Sequence, residues 1–347
     1  MISIKGIDFK KIFIKNASPT KIGGQAVLEG IMMKGDDRTA VVVRGDGGLY
    51  IKTEKLPVRR KAAEIPIVRG VYIFVTTLVT GMKTLVYSAE ILERFFEEEE
   101  APAPEDSTEK DKKEIPFGVM IAISVAIALA FVVGVFIIVP TVAVNFLGVF
   151  TDSAVALNIF EGILRIALFV IYIVIISRMK DIRTTFEYHG AEHKTIHCFE
   201  SELELTPSNA ARFETLHPRC GTSFLMFVMI IALLLFSLLG WPDLLFRITS
   251  RLVLIPVIAG LSFELLRYAG RSDNTLVKIL SVPGLLLQKL TTCEPDTAQL
   301  EVAIAALKAV NVPADEPVIE GFCDLNGRLL PEEDSLEFQS ALEGIWV

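Results

Sequence analysis

Two stretches of this 347-residue chain, residues 117–150 and residues 220–242, contain no charged residue. A helix needs about 20 apolar residues to cross roughly 30 Å of hydrocarbon. In that medium only helices and closed barrels satisfy their own backbone polar groups. Each run is long enough, so the expected fold is mainly α: a polytopic membrane protein. Composition agrees, with 52% hydrophobic residues and a mean hydropathy of +0.50, above the level of an ordinary soluble domain.

Four spans are expected, at residues 116–140, 156–177, 222–241 and 252–268. The second carries Glu161 and Arg165 one helical turn apart, where they can pair. Glu264 lies near the end of the fourth, within reach of Arg267. Lys and Arg counts orient the spans. Residues 141–155 contain neither, whereas the next connection holds Arg178, Lys180, Arg183, Lys194, Arg212 and Arg219. That connection, residues 178–221, and both termini are therefore expected on the cytoplasmic side of a bacterial inner membrane. Arg247 and Arg251, in the short third connection, are a mild exception on the outer side.

Outside the spans, residues 1–57 read as a small soluble β unit, because 40–44 and 49–52 flank a Gly-Asp-Gly-Gly turn. The Gly-rich run 23–30 reads as a strand with bulges. Residues 65–92 are expected as an interfacial or re-entrant helix, since Lys83 interrupts their short uncharged stretch. Residues 93–115 form an acidic flexible linker. Residues 272–310 hold a broken amphipathic helix and a soluble helix whose face is Leu300, Ile304, Leu307 and Val310. Residues 311–347 are an acidic tail. No cleavable signal peptide is expected at the N-terminus. The net charge of −8 argues against a nucleic-acid partner, leaving the lipid bilayer and, in one reading, a protein at the cytoplasmic face. The four cysteines lack paired spacing and are expected as free thiols.

All four histidines fall in one segment: His189, His193, His197 and His217. On a helix, His189 and His193 share a face one turn apart, a spacing that suits one ion. Residues 189–193 read His-Gly-Ala-Glu-His, the H-x-x-E-H pattern in which two histidines hold zinc and the glutamate, here Glu192, serves as general base. His217 is the first choice for a third ligand and Cys220 its rival; a thiolate would favour zinc. Arg219 suits developing negative charge or a phosphate. His197 and Cys198 rank lower, because His197 drifts around the helix, and Glu264 is a weak further candidate. Against this stands the bland reading that a five-residue pattern arises by chance and that Arg219 is only a positive-inside anchor. Glu294 and Asp296 read first as a helix N-terminal cap.

Residues 23–33 (GGQAVLEGIMM), 187–196 (EYHGAEHKTI), 217–224 (HPRCGTSF), 294–296 (EPD) and 301–304 (EVAI) together resemble the YqhQ-like family of bacterial membrane proteins, over residues 21–310. The resemblance implies a domain of unknown function described as a predicted metal-dependent enzyme. Similarity to inverted zincins is confined to residues 189–193. The expectation is a membrane-bound metal-dependent enzyme of hydrolase type at the cytoplasmic face. His189, His193 and His217 or Cys220 would hold a divalent ion, zinc by preference, with Glu192 as base and Arg219 as charge stabiliser. The alternatives are a non-enzymatic assembly or scaffolding factor, and a transporter using Glu161, Arg165 and Glu264.

Overall fold

A computed structural model describes residues 8–14, 18, 20–45, 48–57, 65–95, 117–147, 153–269 and 275–331. Most of the acidic linker, the tail beyond residue 331 and the tip of the Gly-rich turn lie outside the described residues. The chain divides into two compact units. One comprises Met1–Glu97, Ile173–Phe227 and Ala259–Val347; the other comprises Glu98–Tyr172 and Val228–Ile258.

In chain order the elements are α1 (Phe9–Ile12), β1 (Gly23–Val27), β2 (Gly30–Lys34), β3 (Arg38–Gly45), β4 (Gly48–Lys55) and α2 (Val68–Phe95). There follow α3 (Phe117–Val133), a π-helical turn (Gly134–Ile138), α4 (Val139–Leu147), α5 (Ala154–Ile176), α6 (Lys180–Glu200) and α7 (Pro207–Ala210). Then come α8 (Thr222–Leu238), α9 (Leu244–Ala269), α10 (Thr275–Thr291), α11 (Thr297–Val310) and β5 (Glu320–Cys323).

The first unit is built on a five-stranded antiparallel sheet in the order β1-β2-β3-β4-β5. Strand side chains alternate between faces, and here each face has its own cover. Ile31, Met33, Ala40, Val42, Leu49 and Ile51 pack on α6 and α11. Val27, Met32, Val41 and Val43 pack on Ile91, with Leu85 and Leu92 alongside. Double coverage explains why β2 and β3 read as nearly unbroken apolar runs. The Gly-rich run forms two strands rather than one bulged strand, joined by a tight turn in which Glu29 takes a left-handed φ of 44°. β5 arises from the segment read as an acidic tail and pairs with β4. The expected separate pieces 1–57, 178–221 and 272–310 are therefore one folded body.

Four helices are long and apolar enough to cross a bilayer: Val68–Arg94, Ile123–Phe146, Ala154–Ile176 and Leu244–Tyr268; Thr222–Leu238 is apolar but shorter. Packing singles out α2 among them. A Cβ on its Gly81 would touch the Gln25 side chain, and Leu85 to Leu92 cover the sheet. An interfacial or re-entrant helix is expected here; α2 is instead one continuous helix with the length and composition of a span, and it exposes Val75, Leu78, Val79 and Met82.

α10 also runs unbroken through Pro283, where a kinked pair of segments is expected. Gly284 lets it lie on the start of α8, because a Cβ there would come within 2.3 Å of Ser223 Oγ. The α11 helix begins as read: Asp296 is its N-cap, reciprocated by Gln299 in a capping box.

The second unit is apolar helix around a buried charge cluster. Arg165 Nη2 donates to Glu161 Oε1 at 2.8 Å, the pairing expected from their spacing. Arg247 and Arg251 lie inside α9, both buried, and not in an exposed connection; Arg251 binds Glu161 Oε2 and Thr141. Pro140 has no N–H to give the carbonyl one turn earlier. That carbonyl belongs to Phe136 in the π turn and accepts from Arg165 Nε at 2.8 Å.

Candidate metal centre

The centre is built on α6. His189, His193, His197 and Glu200 recur at intervals of four, four and three residues, which places them on one stripe of the helix. Its other components, His217 and Cys220, come from the loop entering α8.

Backbone carbonyls fix the imidazoles. His189 Nδ1 lies 2.8 Å from the Thr291 carbonyl oxygen, and His193 Nδ1 faces that of Thr215. A carbonyl only accepts, so in each ring Nδ1 carries the proton and Nε2 presents its lone pair. His189 Nε2 stands 3.2 Å from Cys220 Sγ. His193 Nε2 is buried with no partner among the described residues. One ligand atom each from His189, His193 and Cys220 lie within 4.8 Å of one another. Ligands at zinc distances of about 2.0 Å for nitrogen and about 2.3 Å for sulfur would be about 3.5 Å apart in a tetrahedron. The group fits an ion without large movement.

His217 lies elsewhere. Its ring centroid is 5.5 Å from that of His193 and 4.6 Å from that of His197. With His197 and Glu200 it forms a second convergent group. The expected first choice and its rival thus fall in different groups. Burial holds His217 well below the usual imidazole range and pushes His197 down to about 4. Both rings are neutral near pH 7.

Gln288 of α10 grips His217 from both sides, accepting from its N–H at 2.8 Å and donating to its carbonyl at 2.9 Å. Arg219 does not stand free: its guanidinium pairs with Glu200 Oε1 and donates to the Thr20 carbonyl at 3.1 Å. Glu192 is buried against β1, where the Gly24 N–H donates to its Oε1 at 2.8 Å, and burial raises its pKa. Tyr188 donates to Glu29 at 3.3 Å. The Gly-rich run therefore clamps α6 on either side of His189.

Cys198 bonds weakly to the Glu204 carbonyl. Glu264 pairs with Arg69 of α2 through two oxygens, one at 2.6 Å, and joins neither group. Glu294 binds Lys194 at 2.6 Å, so the segment before α11 closes on α6 from the Thr291 side. A cleft of about 210 Å³ adjoins Gly24 between β1, β2 and α2, lined by Lys21, Lys34, Thr77 and Thr80 among others. No histidine lines it. Sequence reasoning missed Glu200; its position three residues after His197, on the same stripe, is the signal.

No solved structure matches this chain. It is 34% identical over 303 residues to the uncharacterized protein YqhQ of Bacillus subtilis (strain 168), an alignment covering 84% of this chain and 92% of the relative. The family described as a protein of unknown function, DUF1385, matches residues 65–312. With the histidine stripe, the loop entering α8 and the α10–α11 junction all inside that match, the chain belongs to the DUF1385 family, alongside YqhQ.

Proposed function

We propose that this protein is a membrane-embedded, metal-dependent enzyme of hydrolase type, its site at the cytoplasmic face of a bacterial inner membrane. The Lys- and Arg-rich connection between α5 and α8 supports that orientation, with both termini on the same side. His189, His193 and Cys220 would hold the ion, and the thiolate favours zinc.

A bound divalent ion supplies Lewis-acid polarisation and an activated water nucleophile. The chain supplies the rest. The Thr291 and Thr215 carbonyls hold two imidazoles with Nε2 bare. Glu192 would act as general base, its proton affinity raised by burial. The Gly24 N–H fixes that carboxylate. Arg219 acts through Glu200 in this reading and not on substrate directly.

One observation carries the proposal: the buried, unpartnered His193 Nε2 beside His189 and Cys220. A buried nitrogen lone pair left without a partner is costly, and an ion removes that cost. The test is metal content of full-length protein purified without chelators, comparing wild type with the His189→Ala/His193→Ala double variant. Wild type should carry metal that the variant loses, and Glu192→Gln should keep the metal while losing cellular function. Equally metal-free wild type and variant would end the reading.

A further inference from the structure

The stripe on α6 continues past His189 and His193, the two ligands it gives to the first position. We propose that His197, Glu200 and His217 form a second divalent-metal position beside the first, so that the centre holds two ions.

The three residues are all buried, and one ligand atom of each lies within 4.8 Å of the others. His197 Nε2 lies 3.0 Å from the Leu216 carbonyl oxygen, so it carries the proton and Nδ1 is the bare nitrogen. Glu200 is oriented by two donors on one side only: the Thr20 N–H at 2.8 Å and the Arg219 guanidinium both act on Oε1. Its Oε2 instead faces His217 Nε2 at 3.8 Å, and that nitrogen is buried with no hydrogen-bond partner among the described residues. A gap of 3.8 Å is too long for a hydrogen bond yet close to the spacing of two donors on one ion, about 3.5 Å. Arg219 and Thr20 are then the outer groups that aim a ligating carboxylate.

A simple Arg219–Glu200 ion pair explains Oε1 but leaves His217 Nε2, which faces Oε2, without a hydrogen-bond partner among the described residues. Ligation through Nε2 moves the His217 proton to Nδ1, so loading releases the long 3.3 Å approach of the Arg219 N–H to Nδ1. The second position has two nitrogens and an oxygen but no thiolate. It therefore favours soft ions less than the first and suits manganese or iron as well as zinc by ligand type. Because the His217 ring lies between those of His193 and His197, the two positions are neighbours, and paired ions clamp the attacking and leaving oxygens of a displacement. This last point deepens the hydrolase reading and rests on it; the second position itself does not.

The experiment is cobalt(II) titration of full-length, metal-stripped protein in detergent, read by bound metal per chain and by the thiolate-to-cobalt absorption band. Wild type should bind two equivalents, only one with that band. Glu200→Gln, nearly isosteric, should bind one and keep the band; Cys220→Ser should lose the band and keep the second equivalent. One equivalent with the band in both wild type and Glu200→Gln overturns the second position and leaves the first standing. One equivalent without the band, lost in Glu200→Gln, supports the second position and removes the first. No bound cobalt overturns both, and two equivalents in Glu200→Gln overturn the assignment of Glu200.

Discussion

Gly24 and Glu192 meet where β1 crosses α6: the Gly24 N–H donates to Glu192 Oε1 at 2.8 Å. A Cβ on Gly24 would stand 2.7 Å from the Met32 carbonyl oxygen and 3.0 Å from Glu192 Cδ. Gly24→Ala is therefore expected to destabilise by about 1–3 kcal/mol through overpacking and to displace the carboxylate. Thermal melts of the purified variant check the first effect. If Glu192 is the base, cellular function should fall in parallel with Glu192→Gln. A variant as stable and active as wild type would show that β1 yields freely.

Gly190→Ala tests the opposite side of α6. Its Cβ would come within 2.0 Å of the Cys293 carbonyl oxygen, which is backbone and cannot swing away. The Thr291–Cys293 segment must then move off α6, taking with it the carbonyl that fixes His189. Metal affinity should drop at least tenfold, measured by competition with a chelating dye. Unchanged affinity would argue that Thr291 does not orient His189.

Gln288→Leu should cost about 1–3 kcal/mol, because it strips the His217 N–H and carbonyl of buried partners. Gln288→Glu keeps the acceptor and should restore part of that loss. A Leu variant no less stable than wild type would mean that water replaces the amide.

Acid should unfold the metal-free protein early. Burial pushes His197 down to about 4 and His217 well below its usual range, whereas an unfolded imidazole titrates near pH 6.5. The unfolded chain thus binds more protons below about pH 6.5, so stability is full above that value and declines as pH falls towards about 4. For His197 alone the limiting loss is about 3 kcal/mol. Melting temperature against pH should slope downward across this window, and His197→Phe should flatten the slope. A flat wild-type profile contradicts the buried neutral rings.

In the apolar unit, Glu161→Gln leaves Arg165 and Arg251 without their shared carboxylate. Removing one partner of a buried ion cluster is expected to cost about 3–5 kcal/mol. Detergent-solubilised melts should show the loss, and a neutral result would mean that Asn145, Thr141 or solvent takes over.

Much of this was legible from the chain itself. Charge-free runs give the apolar helices because hydrocarbon tolerates little else, and residues 40–44 and 49–52 about their Gly-rich turn give the central hairpin. The His189/His193 pair follows from helical spacing. What spacing does not reveal is which distant side chain closes the ring. Cys220 and His217 are three residues apart in one loop yet join different groups, with Gln288 holding the His217 backbone. α2 shows the converse limit: Lys83 makes its uncharged stretch read as too short, yet the helix runs unbroken from Val68 to Phe95 with the length and composition of a span. Arg247 and Arg251 look like a connection by charge, yet both lie inside α9, Arg251 on the Glu161 carboxylate and Arg247 on the Asn145 amide.

The first unit is stitched from three stretches with apolar helices between them, ending in β5 at residues 320–323. The first strands thus leave the ribosome long before α6, α10 and α11 exist to cover them. Until residue 323 has been made, β4 keeps an open edge, and until α10 has been made the histidine stripe lacks Gln288 and Thr291, the partners of His217 and His189. A chain stalled after α9 would hold His193 and His197 on their carbonyls but leave His189 and His217 without theirs, so under the proposed metal reading ion capture would wait for α10.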